Sequence, residues 1–97
     1  MENIISNLNK LFDSRVRVGI MSVLMKNSWV DFTYLKNTLQ VTDGNLASHL
    51  RALENSNMIK IKKQFVNNKP KTSYKISRHG LRKFSEHLSA FEELTRG

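Results

Sequence analysis

Thr42, Gly44, Asn45, Ser48, His49 and Arg51 stand close together in the chain, and each is small or carries a hydrogen-bonding group. Such residues suit recognition rather than bond-breaking. Asn presents a donor beside an acceptor, Ser and His each donate and accept, and Arg forks two donors toward an anion. Further along, Lys60, Lys62, Lys63, Lys69, Lys71, Lys75, Arg78, Arg82 and Lys83 follow one another with no Asp or Glu between positions 55 and 85. Uncompensated cations in such a run point to an anionic polymer as partner. Ile61, Phe65, Tyr74 and Ile76 are interleaved with the charges, and Asn67-Asn68-Lys69-Pro70 interrupts them, so the block reads as a β-hairpin and not as a disordered tail.

Other chemistries find little to work with. The chain has no cysteine, which removes disulfides, thiolate metal sites and cysteine nucleophiles. His49, His79 and His87 include no pair at i, i+4 spacing, and they read as helix-surface histidines, one of them a phosphate contact. No metal site, cofactor or catalytic residue is expected, because nothing arranges a nucleophile, a base and an oxyanion site. Trp29, Phe32 and the methionines are expected in the core. Ninety-seven residues, 39% hydrophobic and 25% charged with a net charge of +8, suit a single domain over 1–97. No stretch approaches the roughly 20 apolar residues of a membrane span. The N-terminus lacks the pattern of a secretory signal, so the expected location is cytoplasmic, away from membranes.

The elements that must position these residues follow from periodicity. Ile4, Ile5, Leu8, Leu11 and Phe12 recur at helical spacing and predict a short amphipathic helix within 1–13. A second helix is expected over 14–25, capped by Ser14, and a brief strand at 29–31 pairing with the hairpin. A short helix over 33–40 has Asp31 or Thr33 as its cap. Thr42 caps the next helix, which runs to position 55 and places Leu46, Leu50 and Leu53 on one side. The opposite side then carries Gly44, Asn45, Ser48 and Arg51, with Ala47 and His49 on the flanks. Strands are expected at 60–65 and 71–76, joined by a tip over 66–70 because Pro70 cannot donate to a ladder. Ile61 and Phe65 share one face of the first strand. Ser77 caps a last helix to about position 95, with an apolar seam of Leu81, Phe84, Leu88, Phe91 and Leu94.

Two short helices joined by a tight turn, the second presenting small polar side chains, meet the steric demand of the DNA major groove, which is about 12 Å wide and admits one helix. In this order, 17–21, 43–54, Lys69-Pro70-Lys71-Thr72 at the hairpin and Tyr74-Lys75-Ile76-Ser77 with Gly80 after it resemble the winged-helix transcription regulators of the MarR and ArsR type. The resemblance covers Val16 through about Phe84 and is closest to the small stand-alone members. It departs at Asn57, where Gly is usual, and at Lys71, where Arg is common.

The resemblance implies an α+β, mostly α, winged helix-turn-helix with a two-stranded β wing and terminal helices for dimerisation. It implies sequence-specific binding of double-stranded DNA. Arg17, Thr42, Gly44, Asn45, Ser48, His49 and Arg51 would read or position the duplex, and Lys63, Asn68, Lys69, Lys71 and Thr72 would be wing contacts on the backbone or in the minor groove. Ile4, Ile5, Leu8, Leu11, Leu88, Phe91 and Leu94 exceed what so small a core needs to cover, and they are expected to pair two copies through segments 1–13 and 77–97. Two other classes fit the same charge and fold: a winged-helix module that binds protein, and a nucleic-acid-binding protein without sequence preference. No residue pattern identifies a small-molecule effector.

Overall fold

The computed structural model describes residues 4–96. Two short 3₁₀ segments, Ile4–Asn7 and Lys10–Phe12, precede α1 (Arg15–Lys26), β1 (Val30–Asp31), α2 (Phe32–Leu39), α3 (Asp43–Asn55), β2 (Ile59–Val66), β3 (Lys69–Ile76) and α4 (Arg78–Thr95). Every α-helix begins on a side-chain oxygen that takes up an orphan amide. Ser14 accepts from the amide of Arg17, Asp31 from that of Tyr34, Thr42 from that of Asn45, and Ser77 from that of Gly80. Each such cap contributes about 1 kcal/mol. Asp31, not Thr33, starts α2, because its carboxylate reaches the Tyr34 amide at 2.7 Å. The turn from α2 to α3 is tight because Gln40 adopts the left-handed conformation at φ 53°.

The three strands form one antiparallel sheet in the order β1-β3-β2. Against it pack Ile20, Met21 and Leu24 of α1, Leu35 of α2, Leu46, Leu50 and Leu53 of α3 and Phe84 of α4, all buried. This is the α+β, mostly helical winged-helix architecture expected from the sequence. No described helix is long and apolar enough to cross a membrane.

Several local expectations give way. The expected N-terminal helix is two 3₁₀ pieces broken at Leu8 and Asn9. Apolar spacing alone does not distinguish the two, and here tertiary bonds decide: the Asn9 amide donates to Nδ1 of His87, and the Leu11 carbonyl accepts from Arg17. The hairpin tip is not 66–70 but only Asn67-Asn68, with φ of 54° and 63°. That pair of left-handed residues makes a two-residue turn whose twist suits the strands. Val66 faces Lys69 beside the turn, so the next pair, Phe65 and Pro70, falls at a site without cross-strand hydrogen bonds, where the missing amide hydrogen of Pro70 costs nothing. Trp29 and Met25 are surface residues at 37% exposure each, whereas Met21 and Met58 are in the core. Phe65 lies on the same face as Ile61 but beyond the reach of the helices, and it is 80% exposed.

The junction of sheet and α4 is closely built. The Met58 carbonyl accepts from the Ser77 amide at 3.0 Å, and the Ser77 hydroxyl donates to the Asn57 carbonyl at 2.7 Å. Asn57 takes the left-handed conformation (φ 61°) in which Gly is otherwise common. A Cβ on Gly80 would lie 2.0 Å from the Met58 carbonyl oxygen. Gly80→Ala is therefore expected to destabilise the fold by at least about 2 kcal/mol. Gly44→Ala, with no atom within 4 Å of the new methyl, should hold or raise stability by up to about 1 kcal/mol. Urea unfolding of both variants checks the contrast, and equal midpoints would contradict the packing at Gly80.

Candidate nucleic-acid interface

Leu46, Leu50 and Leu53 are 0%, 2% and 0% exposed and set the rotation of α3 about its axis. Gly44, Ser48 and Arg51 consequently share an arc of roughly 60° on the outer side. All three are exposed, as are Asn45 and Thr42. Nothing approaches Gly44, so the first turn presents bare backbone flanked by the Asn45 amide and the Ser48 hydroxyl. Asp43 is the one acid in that turn. Its carboxylate favours the helix N-terminus, and Lys36 of α2 holds it at 2.7 Å. Both groups are solvated, so the pair adds little stability. It does offset the one negative charge in the first turn of α3.

His49 and Arg17, separated by 32 positions, meet at the flank of α3. The Arg17 Nε–H donates to Nδ1 of His49 at 2.9 Å, and Nη1 donates to the Leu11 carbonyl at 3.3 Å. Nδ1 thus acts as acceptor, which places the proton of the neutral ring on Nε2. Burial, and then the neighbouring Arg17 charge, lower the His49 pKa from its ordinary value. Arg17 therefore does more than the free phosphate contact expected of it: it joins the N-terminal segment, α1 and α3. His87 departs further from expectation. It is buried, accepts the Asn9 amide, and lies edge-on to Phe12 with ring centroids 5.3 Å apart. His79 is a partly exposed helix residue near Arg82.

The hairpin divides the basic block between two faces. Ile61, Lys63, Phe65, Pro70, Thr72 and Tyr74 point to the helix side, while Lys60, Lys62, Lys69, Lys71, Ser73 and Lys75 point to the other. Of the expected wing contacts, Lys63 and Thr72 are therefore on one face and Lys69 and Lys71 on the opposite one, with Asn68 at the exposed turn. Lys71 lies 4.0 Å from Asp31. Lys62 stands 4.5 Å above the Trp29 ring and Lys75 6.0 Å from it. This cation–π group, the Arg17 bond to His49 and the exposure of Phe65 escape a reading based on charge and periodicity. Period-two alternation along the lysines could have shown the split. On the helix side, burial and then the Glu54 charge raise the Tyr74 pKa, keeping that phenol neutral between α3 and the wing.

Away from these elements, the first 3₁₀ segment packs on α4. Leu11 is half-buried against the core, and Ile4 and Leu8 are partly covered. Ile5, Leu88, Phe91 and Leu94 remain exposed at 64%, 39%, 58% and 45%. Among the described residues no group of His, Asp and Glu is placed to hold a metal ion.

The fold disfavours protonated His49. Its contribution to stability is complete above the unfolded value of about 6.5 and is withdrawn as pH falls below it. Replacing Arg17 with Ala should raise the His49 pKa toward the ordinary imidazole value. Following the His49 ring resonances by NMR through a pH titration checks this, and an unmoved midpoint would contradict the bond.

Comparison with known proteins agrees with this geometry. A related but uncharacterised protein of Methanocaldococcus jannaschii is 36% identical over 87 residues, spanning 90% of this chain and 95% of its own. The structure of a transcriptional regulator homologue from Pyrococcus horikoshii superposes with a TM-score of 0.79 at 28% identity, covering 95% of this chain and 96% of that one. The MarR crystal structure shares the fold with a TM-score of 0.77 at 21% identity, over 93% of this chain and 65% of MarR. Residues 16–95, from the first turn of α1 to the end of α4, match the family described as winged helix DNA-binding domain, and the chain belongs to that family.

Proposed function

We propose that this protein is a transcriptional regulator that binds specific double-stranded DNA sequences as a homodimer, with α3 in the major groove and the wing on the neighbouring backbone or minor groove. The observation that carries the reading is the outer face of α3: exposed, small and hydrogen-bonding at Gly44, Asn45 and Ser48, on a helix held from behind by three buried leucines. Side chains this short let the backbone approach base edges. Asn45 has the donor and acceptor pair that matches adenine. The exposure of Arg51, and a His49 ring whose Nδ1 is already occupied by Arg17, support phosphate contacts from these two side chains in the same scheme.

Wing lysines supply affinity and orientation in this scheme rather than sequence choice. With about five to seven phosphates neutralised per protomer, the logarithm of affinity falls with that of salt by roughly 0.9 per contact. The exposed Ile5, Leu88, Phe91 and Leu94 support pairing across a two-fold axis, the commonest symmetry of closed oligomers. Such a dimer sets its recognition helices about 34 Å apart, one turn of the duplex. A reading without sequence preference is favoured by one observation, the lysine-only wing, since lysine is a hydrated point charge that does not fork onto bases.

Selection from random duplexes near physiological salt separates the readings. Enrichment of a half-site repeated at one-turn spacing is expected. Asn45→Ala should relax preference at one position of each half-site, losing about 1–3 kcal/mol of discrimination there. Lys69→Ala should weaken all sequences alike and reduce the salt slope by about one per protomer. No enrichment would favour general nucleic-acid binding. Sedimentation equilibrium at micromolar concentration should give about twice the 11.2 kDa chain mass, with Phe91→Asp shifting it toward monomer. A wild-type monomer would overturn the dimer.

A further inference from the structure

Phe65 is the most exposed large apolar side chain among the described residues, at 80%, yet it sits in the most basic part of the chain. Its placement is specific. It lies two residues before the hairpin turn on the helix-side face, with Lys63 preceding it on that face and Pro70 directly opposite on β3. Pairs without cross-strand hydrogen bonds bring side chains closer together than hydrogen-bonded pairs. The left-handed Asn67 and Asn68 hold the two strands in this register, so Phe65 and Pro70 form a short apolar edge on a stiff support. Lys63 shares its face, Lys69 and Lys71 project from the opposite face of the same tip, and no acid lies between positions 55 and 85.

A phenyl ring makes no hydrogen bond to a phosphate, and lysines alone would suffice for backbone contact. The lysines do determine which polymer can come near: only an anionic one is drawn to this tip. In duplex DNA the apolar surface within reach of a narrow hairpin is the face of a base, opened where two steps part in the minor groove. We propose that Phe65, backed by Pro70, is a wedge that enters the minor groove next to the α3 site and partly unstacks one base step, bending the duplex toward its major groove at that step. This rests on the DNA-binding reading above and assigns the wing a part in choosing sequence. Pyrimidine–purine steps unstack most readily, so a TA or CA step beneath the wing is preferred although no hydrogen bond reads it.

The test uses the full chain and duplexes that carry its selected half-sites, with 2-aminopurine placed at successive positions under the wing and a fluorophore pair at the ends. Wild-type binding should brighten 2-aminopurine at one step and shorten the end-to-end distance. Phe65→Ala should abolish both signals and lower affinity about 5- to 150-fold, the range for losing one aromatic–base contact. It should leave the urea midpoint unchanged, since the ring is outside the core. Phe65→Leu, still apolar, should retain part of each signal. Duplex binding with no brightening in the wild type, or brightening and bending that survive Phe65→Ala, overturns the wedge and leaves the DNA-binding reading standing. Self-association lost in Phe65→Ala with unchanged bending also overturns it, assigning the ring to contact between copies. Failure of the wild type to bind any duplex overturns both.

Discussion

Burial of Leu46, Leu50 and Leu53 is the constraint on which the functional surface depends. Each fully buried leucine contributes about 1.5–3 kcal/mol relative to exposure. The exposed Lys36–Asp43 pair contributes about 0–1 kcal/mol. The leucines therefore decide which way α3 faces, and the polar contacts adjust it. Turning the helix by one residue would bring Asn45 or Ala47 toward the core and carry a leucine into water. Thr42 then fixes where the helix begins, Gln40 makes the approach tight, and Arg17 ties the far flank through His49 to the Leu11 carbonyl. The same burial leaves Gly44 open, with no atom within 4 Å of where a side chain would start.

A second constraint joins the wing to α4. The Met58 carbonyl lies beneath Gly80, with Ser77 bonded to both Met58 and Asn57. Through this joint the sheet and the long terminal helix share one orientation, in a molecule 55 × 25 × 21 Å along its principal axes. In the function proposed above, the wing lysines would provide the field, and Gly44, Asn45 and Ser48 of α3 the pattern of donors and acceptors.

Much of this was legible in the chain because the determinants are local. Ser14, Thr42 and Ser77 act on amides three residues away, and the leucine spacing of α3 depends only on the helical period. Asn57 stands where the resemblance leads one to expect Gly, and it fits because its tolerance of positive φ is equally local. What escaped depends on partners distant in sequence. His87 looks like a surface histidine until Asn9 arrives from the other end of the chain, and the 3₁₀ geometry of the N-terminal segment follows from that contact and from Arg17. Pro70 suggested a long tip because a missing amide hydrogen is harmful only at a hydrogen-bonded site, and the site type is set by the Asn67-Asn68 turn. Phe65 was counted with the apolar face of its strand, but the hairpin extends past the helices that bury Ile61. The alternation that places Lys63 opposite in face to Lys69 and Lys71 is present in the sequence, but an unbroken run of lysines on both faces hides it.

In the proposed function, duplex DNA meets the outer face of α3 together with the wing tip. Backbone amide mapping by NMR during titration with a duplex tests it directly, because each residue reports separately. The result predicted is that the largest shifts fall at Gly44, Asn45, Ser48, His49 and Arg51 and along 63–71, with the buried leucine face and the Trp29 side of the sheet changing little. Shifts concentrated instead around Trp29, Lys62 and Lys75, or along α4, with α3 unmoved, would contradict it.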